Sequence, residues 1–309
     1  MNAVEIKGLT KAYGNNYALR DFSLNIPRSQ VCGLIGPNGA GKTTAMSILA
    51  TLLAPDAGSA AVNGHDVMSE QAKVRRLIGY MPDFFGVYDN LKTTEYLEFY
   101  AAAYRIPVSE RARLISDLLE LVNLTEKSHS YVDSLSRGMK QRLALSRCLV
   151  HNPEVLILDE PASGLDPRAR AEMKEIIRHL KRMNKTILIS SHILPELAEM
   201  CDSIAILEQG KLVTYGPVEE VTAARQGAKI LKVDVADRLN ELLEFMISRP
   251  EVVSVDGEAG WARVTFQGNK AAQGQLLREI MEQGWHVYEY AEVKGNLEDA
   301  FMAMTGEGE

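Results

Sequence analysis

The run Gly36-Pro37-Asn38-Gly39-Ala40-Gly41-Lys42-Thr43-Thr44 holds the residue types that phosphate chemistry needs, in a usable order. Its glycines let backbone N–H groups converge on an anion, and a helix starting at its end adds a partial positive charge. Lys42 suits the β- and γ-phosphates of a nucleoside triphosphate, and the Thr43 hydroxyl suits one coordination position of Mg²⁺. Further along, Val155-Leu156-Ile157-Leu158 leads into two carboxylates, Asp159 and Glu160. At the end of a buried strand Asp159 suits a water-mediated Mg²⁺ ligand, and Glu160 suits a general base or water-orienting group. An isolated acidic pair is usually only solvated; behind a phosphate loop the catalytic reading outweighs that one.

These groups need rigid elements behind them. Val31–Ile35 is a short apolar run, typical of a strand covered on both faces, and it feeds the glycine-rich loop; a helix follows over about 43–50. Alternating apolar residues Val4, Ile6, Leu9 and Phe22, Leu24, Ile26 predict two earlier strands. A short helix and a strand are expected over 66–80. Residues 93–122 turn helical, with Leu97, Tyr100, Ala101 and Tyr104 on one face and Leu114, Leu118, Leu121 and Val122 on another; Ser109 is the expected N-cap between them. Strands over 155–158, 186–189 and 204–207 alternate with helices over 169–183 and near 196–200. This is the rhythm of an α/β domain with a mostly parallel sheet.

The segment Leu135-Ser136-Arg137-Gly138-Met139-Lys140-Gln141-Arg142 starts another helix, with Ser136 as N-cap and free amides able to meet a second anion. Its sequence and its place ahead of the acidic strand resemble the signature motif of ABC ATPases. Ser163-Gly164-Leu165-Asp166 is similar to the family's D-loop, Ser190-Ser191-His192 to its switch histidine, and Tyr13 in Lys11-Ala12-Tyr13-Gly14 to the aromatic that stacks on adenine. The resemblance spans about residues 1–220, with the motifs in the family's order. It implies a P-loop NTPase of the ABC type over 1–221, with a helical subdomain over about 84–150. It further implies ATP and Mg²⁺ as ligands, and a homodimer in which one copy's Ser136–Gly138 segment covers ATP on the other copy's loop. Glu160 would act on an in-line water, with His192 stabilising charge on the transferred group. Two motifs depart from the pattern, at three positions. Asp83 stands where the family has glutamine, as a further Mg²⁺ or water ligand, and Arg137 and Met139 replace a glycine and a glutamine of the signature.

After the polar stretch 222–227 a smaller α+β pattern covers 228–309. Its strands are expected at 231–235, 252–255, 263–266 and 287–293, with helices around Leu242, Leu276 and Leu297. One ATPase unit followed by such a domain resembles exporter ATPases whose permease is a separate polypeptide, as does the closing run Gly295-Asn296-Leu297-Glu298-Asp299-Ala300-Phe301. Phe84, Phe85, Val87 and Tyr88 fall where such proteins receive a permease helix, or else belong to the core of the helical subdomain.

The remaining composition narrows the class. The chain has 309 residues and a net charge of -7, which disfavours an extended nucleic-acid surface. Cys32, Cys148 and Cys201 form neither a disulfide framework nor a metal spacing, and each reads as a small buried residue in a reducing compartment. The first ten residues lack a signal-peptide pattern, and no apolar stretch reaches the roughly 18 residues a membrane span needs. The expected location is therefore cytoplasmic, peripheral on the membrane's inner face beside the permease. Two alternatives stand: a soluble ABC ATPase acting on ribosomes or nucleic acid, which usually carries tandem ATPase units or a long coiled coil, and a weakly hydrolysing regulatory subunit.

Overall fold

The computed structural model describes residues 1–83, 86, 90–193, 197–223, 229–258 and 260–293. The chain divides into two compact units, Met1–Val218 and a second beginning at Glu219.

In the first unit, β1 (Asn2–Tyr13) and β2 (Asn16–Pro27) pair antiparallel, with Val4 opposite Ile26, Ile6 opposite Leu24 and Leu9 opposite Phe22. Alternation puts Val4 and Ile6, and Phe22, Leu24 and Ile26, on one face. A register irregularity between Ile6 and Leu9 returns Leu9 to it, and all six are buried. Strands β4 (Ala57–Val62) and β5 (His65–Asp66) complete a sheet ordered β2-β1-β4-β5. A second sheet is built from β3 (Val31–Ile35), β6 (Ile78–Met81), β7 (Val155–Leu158), β8 (Thr186–Ser191), β9 (Ser203–Glu208) and β10 (Lys211–Pro217). Its order is β10-β9-β3-β8-β7-β6, parallel throughout except for the β9–β10 pair. Every residue of β3, β7 and β8 is buried, as continuous apolar runs require.

Helix α1 (Lys42–Leu49) is clamped between the sheets. Its Met46 and Leu49 share one core with Ile6, Phe22 and Leu24 of the first sheet and Leu34, Ile157 and Leu188 of the second. The parallel register pairs Ile35 with Ser191, Leu158 with Ile189, and Met81 with Leu158. The loops that start at Gly36, Pro82, Asp159 and His192 consequently leave the sheet on one edge, the carboxyl edge, where open α/β sheets bind ligands.

The remaining helices of this unit are α2 (Gln71–Leu77), α3 (Thr93–Ala103), α4 (Val108–Leu121), α5 (Arg137–Leu149) and α6 (Pro167–Arg182); α7 (Val218–Ala223) starts at its last residue and otherwise belongs to the second unit. The structure corrects the sequence reading at several points. Pro107, not Ser109, is the N-cap of α4, and no side chain caps it; proline's fixed φ already suits a helix start. The buried face of α4 is Ile115, Leu118 and Leu119, with Leu114 half-buried at its flank. Tyr104, expected on a helical face with Leu97, Tyr100 and Ala101, is the exposed C-cap of α3, while Tyr96 is fully buried. Cys201 is only half-buried. Strands β4, β5 and β10 were not anticipated, because Gly58, Ser59 and the alternating exposure of β10 give little apolar signal. Residues 84–85, 87–88, the start of the helix expected near 196, and 294–309 lie outside the described residues.

The second unit runs β11 (Lys229–Val235), α8 (Leu239–Ile247), β12 (Val252–Glu258), β13 (Trp261–Phe266), α9 (Lys270–Glu282) and β14 (Val287–Val293). All sheet neighbours are antiparallel and the order is β12-β13-β11-β14, a split βαβ arrangement. Its core is its own: Leu231 and Val233, Leu242 and Met246, Val264 and Phe266, Leu276 and Ile280.

Candidate active site

The loop after β3 has its shape because three positions lack a side chain. A Cβ at Gly36 would collide with the Leu207 carbonyl, and one at Gly41 with the Ala18 carbonyl. Gly41 also has φ 108 and Gly39 φ 83, a region that L side chains rarely adopt. Gly41 is the N-cap of α1 and offers no side chain, so the first amides of the helix have no side-chain acceptor, and its first turn carries no acid. Lys42 is 6% exposed; its Nζ donates to the carbonyls of Gly36 at 2.7 Å and Pro37 at 3.2 Å. Thr43 is exposed beside it, and Pro37, Asn38 and Thr44 lie on the open side of the loop, with Ala40 buried beneath.

Across the sheet, Asp159 is 0% exposed. Its Oδ1 accepts from Ser190 Oγ at 2.6 Å, while its Oδ2 has no hydrogen-bond partner. Glu160 has φ 48, a left-handed backbone costly for a side chain of its size, and its N–H donates to the same Ser190 Oγ at 2.9 Å. That twist turns the Glu160 carboxylate toward Lys42 Nζ, 3.5 Å from Oε1, and His192 Nδ1, 2.7 Å from Oε2. An ionised carboxylate only accepts, so Nδ1 carries the shared hydrogen. Burial, then the negative charges of Asp159 and Glu160, push the Asp83 carboxyl above its ordinary range, with Arg137 and His192 pulling the other way.

The structure thus gathers Lys42, Asp83, Asp159, Glu160 and His192 into one cluster. Ser190, known from the sequence only as part of the histidine's motif, braces two of them, a role whose only signal was its place at the end of a buried strand beside His192. Tyr13 and Ser136 make no hydrogen bond or ion pair with the cluster among the described residues. Tyr13 is 55% exposed at the end of β1. Ser136 is the N-cap of α5, with Oγ accepting from Met139 N at 3.4 Å. Gly138 is buried against α6, where a Cβ would lie 2.8 Å from that of Ala169, so its bareness serves helix packing. Asp166 caps α6 through its Oδ1 and Ala169 N at 2.9 Å.

A family model described as "ABC transporter" matches residues 19–163. The daunorubicin resistance ATP-binding protein DrrA3 of Streptomyces coeruleorubidus is 32% identical over 99% of this chain and 96% of its own length. The Nod factor export ATP-binding protein I of Burkholderia thailandensis is 32% identical over 98% of this chain and 97% of its own. The linearmycin resistance ATP-binding protein LnrL of Bacillus subtilis is likewise 32% identical, over 98% of each. Among solved structures, an ATP-binding subunit of an ABC transporter superposes with a TM-score of 0.65 at 31% identity, covering 72% of this chain and 92% of that one. A dimeric ATP-binding cassette in a post-hydrolysis state with ADP and Pi gives a TM-score of 0.64 at 26% identity, over 70% and 98%. With a nucleotide loop facing a carboxylate–histidine pair and full-length relatives of this kind, the chain belongs to the ABC transporter ATP-binding proteins and is an ATPase.

Proposed function

We propose that this chain is the motor of an exporter whose membrane-spanning permease is a separate polypeptide, and that Glu160, held between Lys42 and His192, is the group that commits ATP to hydrolysis. The pinned Glu160 is the observation that carries the reading. Nucleotide entry gives Lys42 phosphate oxygens in exchange for the Gly36 and Pro37 carbonyls and the Glu160 ion pair. Glu160 is then left to take the proton of the attacking water, with His192 fixing its orientation and adding positive character beside the γ-phosphate. A magnesium ion fits the acidic side of the cluster: Asp159 Oδ2 is buried without a partner, Asp83 is crowded by like charge, and Thr43 is exposed at the helix start. Mg²⁺ keeps most of its waters and takes few protein oxygens, so Thr43 directly and Asp159 and Asp83 through water would hold it and help neutralise the phosphates.

Tyr13, more than half exposed at the end of β1, would stack on adenine. The exposed start of α5 would meet ATP on a second copy, and a homodimer agrees with the dimeric cassette that this fold resembles. Asp166, which caps the start of α6, would contribute to the same nucleotide site. No helix among the described residues is long and apolar enough to cross a membrane, which agrees with a permease on a separate chain. The export of Nod factor in one relative's name, beside drug resistance in another's, supports the outward direction.

For the permease we assign a cleft of about 250 Å³ lined by Leu52, Arg75, Tyr80, Tyr104, Arg147 and His151 among others. Its lining has two guanidinium groups and no carboxylate, which suits a permease helix presenting an acidic side chain. The test is affinity capture of tagged full-length Glu160→Gln with ATP and Mg²⁺ from detergent-solubilised source cells. A multi-span membrane protein in near-equal amount is expected, and Arg147→Glu in the same background should cut its recovery about tenfold or more. Recovery of ribosomes or DNA-bound proteins, or of no partner, overturns the exporter reading.

A further inference from the structure

Arg137 is the first residue of α5, directly after the N-cap Ser136. Its side chain turns back across the loop that follows Glu160. A Cβ at Gly164 would lie 2.6 Å from Arg137 Cζ and Nη1 and 2.7 Å from Nη2. Three nearly equal distances mean that the flat face of the guanidinium lies on Gly164, whose φ of 65 bends the chain beneath it. One turn further along α5, Gln141 is 2% exposed and its Nε2 donates to the Ser163 carbonyl at 3.1 Å. Ser163 N in turn donates to the Glu160 carbonyl at 3.0 Å. The same Arg137 charge attracts the Asp83 carboxylate in the cluster. The helix start that carries Ser136 is therefore strapped at two points to the loop that carries this chain's own Glu160.

We propose that Arg137 is a positioning residue that links the two ATP sites of a dimer: the Ser136 end of α5 reads nucleotide held by the partner copy, and Arg137, with Gln141, passes its displacement to Glu160 of the same chain. A glycine at position 137 could not do this, having nothing to lay on Gly164. A lysine would keep the charge but lose the plane that matches the peptide. This inference rests on the ATP-sandwich dimer proposed above. Such a link is a coupling free energy between sites, so it belongs in cooperativity before affinity.

The experiment uses the full chain and compares wild type, Arg137→Gly and Arg137→Lys in three measurements: ATPase rate against ATP concentration, ATP affinity of dilute monomer, and ATP-driven dimerisation in the Glu160→Gln background. Wild type is expected to give a Hill coefficient above 1. Both variants should fall to about 1 with kcat lowered roughly fivefold or more, the lower edge of ordinary coupling. Monomer affinity should stay within about twofold, which a merely misfolded variant would not manage. Variants that keep the wild-type Hill coefficient and kcat overturn the link while leaving the dimer intact. Glu160→Gln that stays monomeric with ATP overturns the sandwich itself, and the link with it.

Discussion

Glu160 owes its direction to a backbone angle and its hold to three neighbours. Ser190 Oγ fixes its N–H, His192 Nδ1 its Oε2, and Lys42 lies against its Oε1. Removing the imidazole frees one carboxylate oxygen without touching the phosphate loop. His192→Ala is therefore expected to bind ATP as wild type does and to lose roughly 100-fold in kcat, the usual worth of one positioned acid–base partner. Steady-state ATPase kinetics beside equilibrium nucleotide binding check this; normal turnover would remove His192 from the reaction. The types and positions of Lys42, Asp159, Glu160 and His192 were legible in the sequence, since each stands where an apolar run meets a polar one. The work of Ser190 was not, because a serine hydroxyl has no signature until its partners are placed around it. Gly138 and Asp166 were read as site residues, and the structure adds a packing role for the first and a capping role for the second.

Among the elements, the loop–helix junction at Gly41 is the least tolerant. Its φ of 108 and the nearby Ala18 carbonyl leave no room for a methyl group. Gly41→Ala should cost about 1 kcal/mol or more from backbone strain alone, before the collision is counted. The loop would have to shift to accommodate it, so ATP binding should weaken along with the melting temperature. Thermal unfolding with and without ATP tests this, and an unchanged ATP-dependent rise in Tm would show that the loop tolerates the change. The existence of α1–α6, though not of α7, was legible from the spacing of apolar residues. The faces were less so. On α4, Leu114 and Ile115 are equally apolar, and only the neighbouring helices decide that Ile115 turns inward. The start of α4 was misread for a similar reason: a serine two residues after a proline suggests a cap, yet the proline had already set the backbone.

At the scale of the molecule, each unit has a closed core of its own, around Met46 and Leu188 in one and around Val233 and Phe266 in the other. A chain ending at Val218 should therefore unfold cooperatively and still bind ATP with affinity within about threefold of the full chain, since its core and its phosphate loop draw on its own residues. Denaturant unfolding and nucleotide titration of that fragment check it; an insoluble or non-binding fragment would mean that the second unit supports the first. By itself the sequence determined the chemistry available to this protein. It placed a phosphate loop, an acidic pair and a histidine at the ends of buried strands, since apolar runs and glycines leave a local mark on the chain. Only the tertiary structure decided that these ends share one edge. The strand order β9-β3-β8-β7-β6 and its parallel register bring Glu160 to both Lys42 and His192. It also decided that Arg137 lies on Gly164. Contacts between residues far apart in sequence depend on which strands become neighbours, and the burial of whole faces sets that choice, which no local pattern records.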